Sequence, residues 1–288
     1  MVLTLALVGV SYAVTSGELD RDVIPPRGNL TVSAGLGGLP GVDRDVARSR
    51  PAVPSARALR RAWRFARRRG GQVSVAVIDT RGRLRGRDAD KRYVSASVVK
   101  TMLLAAELRR LRREGLPLDG GTRDLLKAMI TFSDNDSADA IYGRLGDAGL
   151  FEVARAARMR RFTVAGHWSN AQVTAADLAR LFSRLRGLVP RPHRRTALRL
   201  LASIVKEQRW GLPRAAAGRW TAHVKGGWRA TGQGELVHQA AWLHDGSRSL
   251  SIAIMTDAQP SQLYAIHTVR GIANHLLASA PAGVSSRR

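Results

Sequence analysis

The chain has 288 residues, 44% of them apolar, which is enough to bury a sizeable core and excludes a chain disordered throughout. It has no cysteine, which excludes structural disulfides, iron–sulfur clusters, thiolate zinc sites and cysteine nucleophiles. Its 47 basic residues against 22 acidic ones give a net charge of +25, yet five alone are lysine: Lys91, Lys100, Lys127, Lys206 and Lys225. Such an arginine excess reads first as compositional bias and second as a nucleic-acid footprint. It makes the position of each lysine informative.

The first 14 residues, MVLTLALVGVSYAV, are uncharged and shorter than the ~20 needed to span a bilayer. With Thr15-Ser16-Gly17 they read as a secretory signal segment over 1–17, although the basic residues that should precede it are missing. Residues 18–54 hold five prolines among glycines and charges and read as a disordered linker. The globular domain is expected over 55–280, with a tail over 281–288.

Ser55 can cap a helix over 56–69, which Gly70-Gly71 ends. A β-branched strand follows over 72–79, then a turn at Thr80-Arg81-Gly82 and a returning strand over 83–88. A buried helix is predicted over 97–113, with further helices over 122–131, 137–145, 150–158, 175–186 and 194–206. Strands return over 220–225, 236–244 and 249–256, the last two joined at Asp245-Gly246, and a helix over 261–279 closes the chain. Strands joined by short turns pair antiparallel. This order is not an alternating strand–helix chain, so a dinucleotide fold is not expected. The class is α+β: an antiparallel sheet flanked by terminal helices, with an inserted all-helical subdomain. The seven histidines lack metal-ligand spacing, and no cofactor or metal is implied.

Three short motifs carry chemistry. Ser97-Val98-Val99-Lys100 places a hydroxyl and an amine on one helix face. A serine hydroxyl needs a base to become a nucleophile, and a buried lysine with a lowered pKa can be that base. The same spacing also recurs on solvated helices. Ser133-Asp134-Asn135 reads as a helix cap, or as a proton-relaying hydroxyl beside a substrate-orienting amide. Lys225-Gly226-Gly227-Trp228 reads as a turn after an edge strand, or as a cation beside a strand edge that binds extended substrate.

Two of the five lysines fall in these motifs, and S-x-x-K, S-D-N and K-x-G in this order form a known set. With the stretch ITFSDNDSADAIYGRLG, the chain resembles the class A β-lactamases and their penicillin-binding-protein relatives over about 55–277. The resemblance implies that Ser97 is the acylated nucleophile and Lys100 its base partner. It implies that Ser133 passes a proton to the leaving nitrogen, that Lys225 holds Ser133, and that Asn135 binds the substrate amide. Gly226, Gly227 and Trp228 would line the substrate edge, and the N–H groups of Ser97 and Trp228 would form the oxyanion hole.

The chain departs from that family in three ways. The loop expected near 166–173 reads GHWSNAQV and holds no acid where class A enzymes carry a deacylating glutamate. The nearest acids, Glu152 and Asp177, fall on predicted helices, and His167 is the one titratable group in that loop. Gly226 lacks the hydroxyl that relatives offer to a substrate carboxylate, and Arg229 and Arg248 are candidate replacements. The 36 positions from Ser97 to Ser133 are short for the family, so the cleft is expected to be open on that side.

The expected function is therefore an acyl-enzyme on Ser97, formed with a small-molecule β-lactam or a peptidoglycan-type peptide amide and turned over slowly. A secreted or periplasmic monomer with no stable membrane span is expected. The alternative is a non-catalytic relative that binds anionic cell-wall polymers through RRAWRFARRR, RRLRR and RPHRR. Nucleic-acid binding is not expected, because the arginines are dispersed and not interleaved with aromatics.

Overall fold

A computed structural model describes residues 52–278. The signal segment, nearly all of the linker and the tail expected from the sequence lie outside the described residues.

Ser55 caps α1 (Ala56–Arg67) as its pattern predicts, its side chain accepting from the Ala58 N–H. The glycines that follow lead into β1 (Gln72–Ile78), which pairs with β2 (Leu84–Arg87). A short strand β3 (Arg92–Val94) precedes a 3-10 turn, Ala96–Val99, and then α2 (Lys100–Arg113). Ser97 thus sits in a tight turn, and Lys100 opens the α-helix proper. Asp119 caps α3 (Gly120–Lys127), and a π-turn over Ala128–Phe132 delivers the chain to Ser133.

Asp134 caps α4 (Asn135–Ala156) by accepting from the Ser137 N–H at 2.7 Å. Gly146 breaks this helix with φ 56° and ψ −169°, which is why the sequence reads as two helices there. Next come β4 (Thr163–Ala165), β5 (His167–Thr174), α5 (Ala175–Ser183), α6 (Leu185–Leu188) and α7 (Arg194–Ala202). A short α8 (Leu212–Ala216) precedes three long strands, β6 (Thr221–Thr231), β7 (Gly234–His244) and β8 (Ser249–Gln259). Ser261 caps the closing helix α9 (Gln262–Leu277).

The main sheet runs β2-β1-β8-β7-β6 and is antiparallel throughout. Pairing of β1 with β8 confirms that everything between β2 and β6 is inserted into one sheet. One sheet face packs Val75, Val77, Val237 and Ile252 against α1, α8 and α9. The other packs Ala76, Ala240, Ala253 and Met255 against the helical subdomain, whose centre includes Met102, Leu104, Ile141 and Phe182. Fully burying each of these valine, leucine, isoleucine, methionine and phenylalanine side chains is worth about 1.5–3 kcal/mol, so both halves are held to the sheet.

Two expectations need correction. The subdomain is not purely helical: β3-β5-β4 form a second, three-stranded sheet. Its members escaped the sequence because β3 is three residues long and β5 is rich in polar side chains. In consequence the segment expected as a loop over 166–173 is mostly strand β5. The second correction concerns β6, which does not stop at Lys225. It continues through Gly226-Gly227-Trp228 to Thr231 in unbroken register with β7, so the paired glycines are strand, not turn.

Candidate active site

The site forms where β6, the edge of the main sheet, meets the turn bearing Ser97 and the entry to α4. Ser97 is half-buried and its Oγ has no hydrogen-bond partner among the described residues. Its turn is tied to β5 by the Ser95 N–H, which donates to Ala171 O at 2.8 Å.

The close approach of β6 to this turn depends on Gly227. A Cβ added there would fall 2.7 Å from the Ser97 amide nitrogen and 3.0 Å from Ala96 Cβ. The glycine lets a strand backbone pass directly beside the Ser97 amide.

Both motif lysines are fully buried, and they converge on Ser133. Lys100 Nζ donates to Ser133 O at 2.6 Å, to Asp134 O at 3.0 Å and to Asn135 Oδ1 at 2.7 Å. Lys225 Nζ donates to Ser133 Oγ at 2.9 Å and to Gly226 O at 3.0 Å. Ser133 adopts a left-handed conformation, φ 66°, which turns the chain so that its carbonyl and hydroxyl meet different lysines.

Burial pushes the Lys100 amine down to about 8, against the upward pull of the Asp134 and Asp139 carboxylates. Burial also pushes Lys225 well below the usual lysine range, and the charge of Lys100 adds to that shift. Lys100 can therefore lose its proton near neutral pH and become a proton acceptor, while Lys225 is the amine bonded to the Ser133 hydroxyl.

The model of the beta-lactamase enzyme family matches residues 121–280. The chain belongs to that family. The match takes in Ser133, Asn135 and Lys225 and begins after Ser97 and Lys100, which the fold brings to them. No curated protein matches the chain. Among solved structures, a class A beta-lactamase from Mycobacterium abscessus is 20% identical with a TM-score of 0.67 and is aligned over 76% of this chain and 98% of its own. A beta lactamase from Burkholderia vietnamiensis is 21% identical, TM-score 0.67, over 77% and 96%. One from Chitinophaga pinensis is 12% identical, TM-score 0.68, over 76% and 98%. At these identities the likeness establishes the fold.

Against that family background, the beta-lactamase-family chain places its acids elsewhere. Asp177 is buried, accepts from the Arg160 and Arg161 N–H groups at 2.7 and 2.9 Å, and pairs with Arg180 at 3.1 Å. Glu152 is held by Arg109 and Arg113. Both are structural anchors. His167 also has both ring nitrogens engaged, Nδ1 with Ser169 Oγ at 2.8 Å and Nε2 with Asp139 Oδ1 at 3.1 Å.

Gly226 points towards two indoles. Its missing Cβ would lie 3.9 Å from both Trp210 and Trp228. Trp228 is 36% exposed at the sheet edge. Of the two candidate substitutes for the lost hydroxyl, Arg248 is excluded: it pairs with Asp245 at 2.7 Å, beside the Thr221 end of β6. Gly226 lies five strand positions from that end, about 17 Å. Arg229 is exposed beside Trp228. Two residues the motifs did not reveal also border the site, Trp168 and Trp210; neither belongs to a spaced pattern. Among the described residues no helix is long and apolar enough to cross a membrane, and no cluster of three or more metal-ligating side chains occurs.

Proposed function

We propose that this chain is a serine acyl-transfer hydrolase that opens β-lactams or related cell-wall peptide amides through an ester on Ser97. The observation that carries the reading is the convergence of two buried lysines on Ser133 beside the Ser97 turn.

In this reading the neutral Lys100 amine takes the Ser97 hydroxyl proton as Oγ attacks the carbonyl. With its amine titrating at about 8, about a tenth of the molecules hold it neutral at pH 7. The developing oxyanion is met by the Ser97 and Trp228 N–H groups, worth about 3 kcal/mol per donor. Ser133 Oγ, held by Lys225, hands a proton to the leaving nitrogen as the C–N bond breaks, and is reprotonated through the lysines. Asn135 orients the substrate amide. Gly226, Gly227 and Trp228 form the edge along which substrate lies. Such substrates fit a secreted or periplasmic location.

Intact-protein mass spectrometry with a fluorescent penicillin and a cephalosporin tests this. A mass increase by one opened drug, absent in Ser97→Ala, is expected. No adduct with either drug, or an adduct that survives in Ser97→Ala, overturns it.

One observation favours a binding role in addition. Helix α1 has no acidic residue, and Arg57, Arg60, Arg64 and Arg67 along it, with Arg68 at its C-cap, are exposed and make no ion pair among the described residues. Retention of an anionic wall polymer by Ser97→Ala at low salt, lost at high salt, checks it.

A further inference from the structure

Strand β5 brings an indole to Lys100, in the region where the family resemblance leads one to expect an acid. The Trp168 ring centroid lies 4.9 Å from Lys100 Nζ. The three hydrogen-bond acceptors of that nitrogen all belong to the entry of α4, so the indole closes the side that faces β5. Trp168 is 5% exposed and cannot swing freely: its Nε1–H donates to Asp139 Oδ1 at 2.6 Å. Asp139 also accepts from His167 Nε2. His167 Nδ1 receives the Ser169 N–H at 3.2 Å, which puts the ring proton on Nε2 and orients the imidazole towards Asp139. The strand that carries this group is bonded to Ser95, two residues before Ser97.

We infer that Trp168 is a positioning residue that sets the lifetime of the acyl-enzyme: pinned by Asp139, its indole fills the flank of Lys100 from which water would reach an ester on Ser97. The inference rests on the acyl-enzyme reading above. Hydrolysis of that ester needs a water whose proton passes to a base as its oxygen bonds to the carbonyl carbon; the bond to Ser97 Oγ then breaks and Oγ takes a proton back. An indole has no basic atom to offer. Its face attracts the ammonium form of Lys100 and excludes water from that side. Acylation does not need this flank, because the serine proton leaves from within the site. Trp168 therefore separates the two half-reactions, leaving the first open and slowing the second.

The test uses the full-length chain, a fluorescent penicillin and intact mass followed over time after excess drug is removed. Trp168→Ala is expected to lose its adduct at least ~10-fold faster while acylating somewhat more slowly at neutral pH, since the water it admits raises the Lys100 amine, so the two steps move in opposite directions. Its loss rate is expected to climb with pH as Lys100 sheds its proton, with a midpoint above the parent's because water on that flank relieves the burial that lowers the amine, a dependence that a loosened fold alone does not produce. Trp168→Phe, which keeps a ring over the amine but has no N–H for Asp139, is expected to restore the lifetime to the level of Asp139→Ala. Asp139 is exposed on α4, so Asp139→Ala leaves the core intact and decides the matter if Trp168→Ala does not fold. It is expected to shorten the adduct lifetime ~3-fold by freeing the indole, whereas Asp139→Asn, which removes the same charge beside Lys100 but keeps an oxygen for the indole N–H, is expected to hold the parent lifetime. Adducts in Trp168→Ala and Asp139→Ala that last as long as in the parent overturn this inference and leave the acyl-enzyme reading standing. A parent chain that forms no adduct overturns both.

Discussion

Lys225 Nζ donates to Ser133 Oγ across 2.9 Å, and this bond joins the edge of the main sheet to the helical subdomain. Lys225→Met removes a buried charge while preserving an unbranched side chain. Burying an ammonium is costly, so the melting temperature is expected to hold or rise. Acylation is expected to fall about 100-fold, because Ser133 loses the group that orients its hydroxyl. A variant that melts well below the parent but acylates normally would make Lys225 a structural residue.

Gly227 and Gly226 are neighbours with opposite tolerances. A Cβ at 227 meets the Ser97 amide nitrogen at 2.7 Å, so Gly227→Ala must push β6 away from Ser97. A displacement approaching 1 Å is expected to lower acylation about 100-fold. At 226 the nearest atom would be 3.6 Å away, which is ordinary contact. Gly226→Ser is therefore expected to fold normally. Its added hydroxyl is expected to improve penicillin recognition by about tenfold, the worth of one hydrogen bond to a carboxylate. Acylation rates measured against drug concentration distinguish the two variants.

Acylation is expected to rise with pH. The ammonium form of Lys100 cannot accept the serine proton. With the amine held at about 8, the rate climbs up to that pH and levels above it. Stability moves in the same direction. Between about 8 and the ordinary value of 10.5 the unfolded chain carries a proton on this lysine that the folded chain lacks. Raising the pH through that window removes the unfolded state's advantage, so this group's contribution to folding improves. Parallel pH series of acylation and thermal melting check both; a rate that falls between pH 6 and 8 contradicts the role given to Lys100.

Asp177 is expected to matter for stability and not for chemistry. Asp177→Ala leaves Arg180 and two backbone N–H groups without their buried acceptor, at a cost of about 3 kcal/mol. In a domain of this size that lowers the melting temperature by about 10 °C. The acylation rate per folded molecule is expected to stay at the parent value. A loss of turnover without a loss of melting temperature would instead place Asp177 in the reaction.

The parts of the site that could be read from the sequence are those written in local spacing. Ser97 with Lys100, Ser133 with Asn135, and Lys225 with Gly226 each sit within four residues, and the fold had only to bring three such motifs together. The main sheet was legible because β7 and β8 are long apolar strands joined by a tight turn. The second sheet was not, since a three-residue strand leaves no period to detect. Gly226-Gly227 misled for a physical reason: paired glycines signal a turn when the backbone is considered alone, whereas here they make room for Ser97. The Trp168–Asp139 contact spans 29 positions and has no local signature, so the surroundings of Lys100 emerged from packing alone.

Strand β6 also limits how this cleft can diversify. Its side chains alternate, so Lys225 and Gly227 are committed to Ser133 and Ser97. Gly226 and Trp228 look the other way, towards Trp210 and solvent. A random library over these four neighbours is in effect a library over two. Variants that recognise new drugs should arise at 226 and 228, whereas survivors altered at 225 or 227 should be those that have stopped reacting at all.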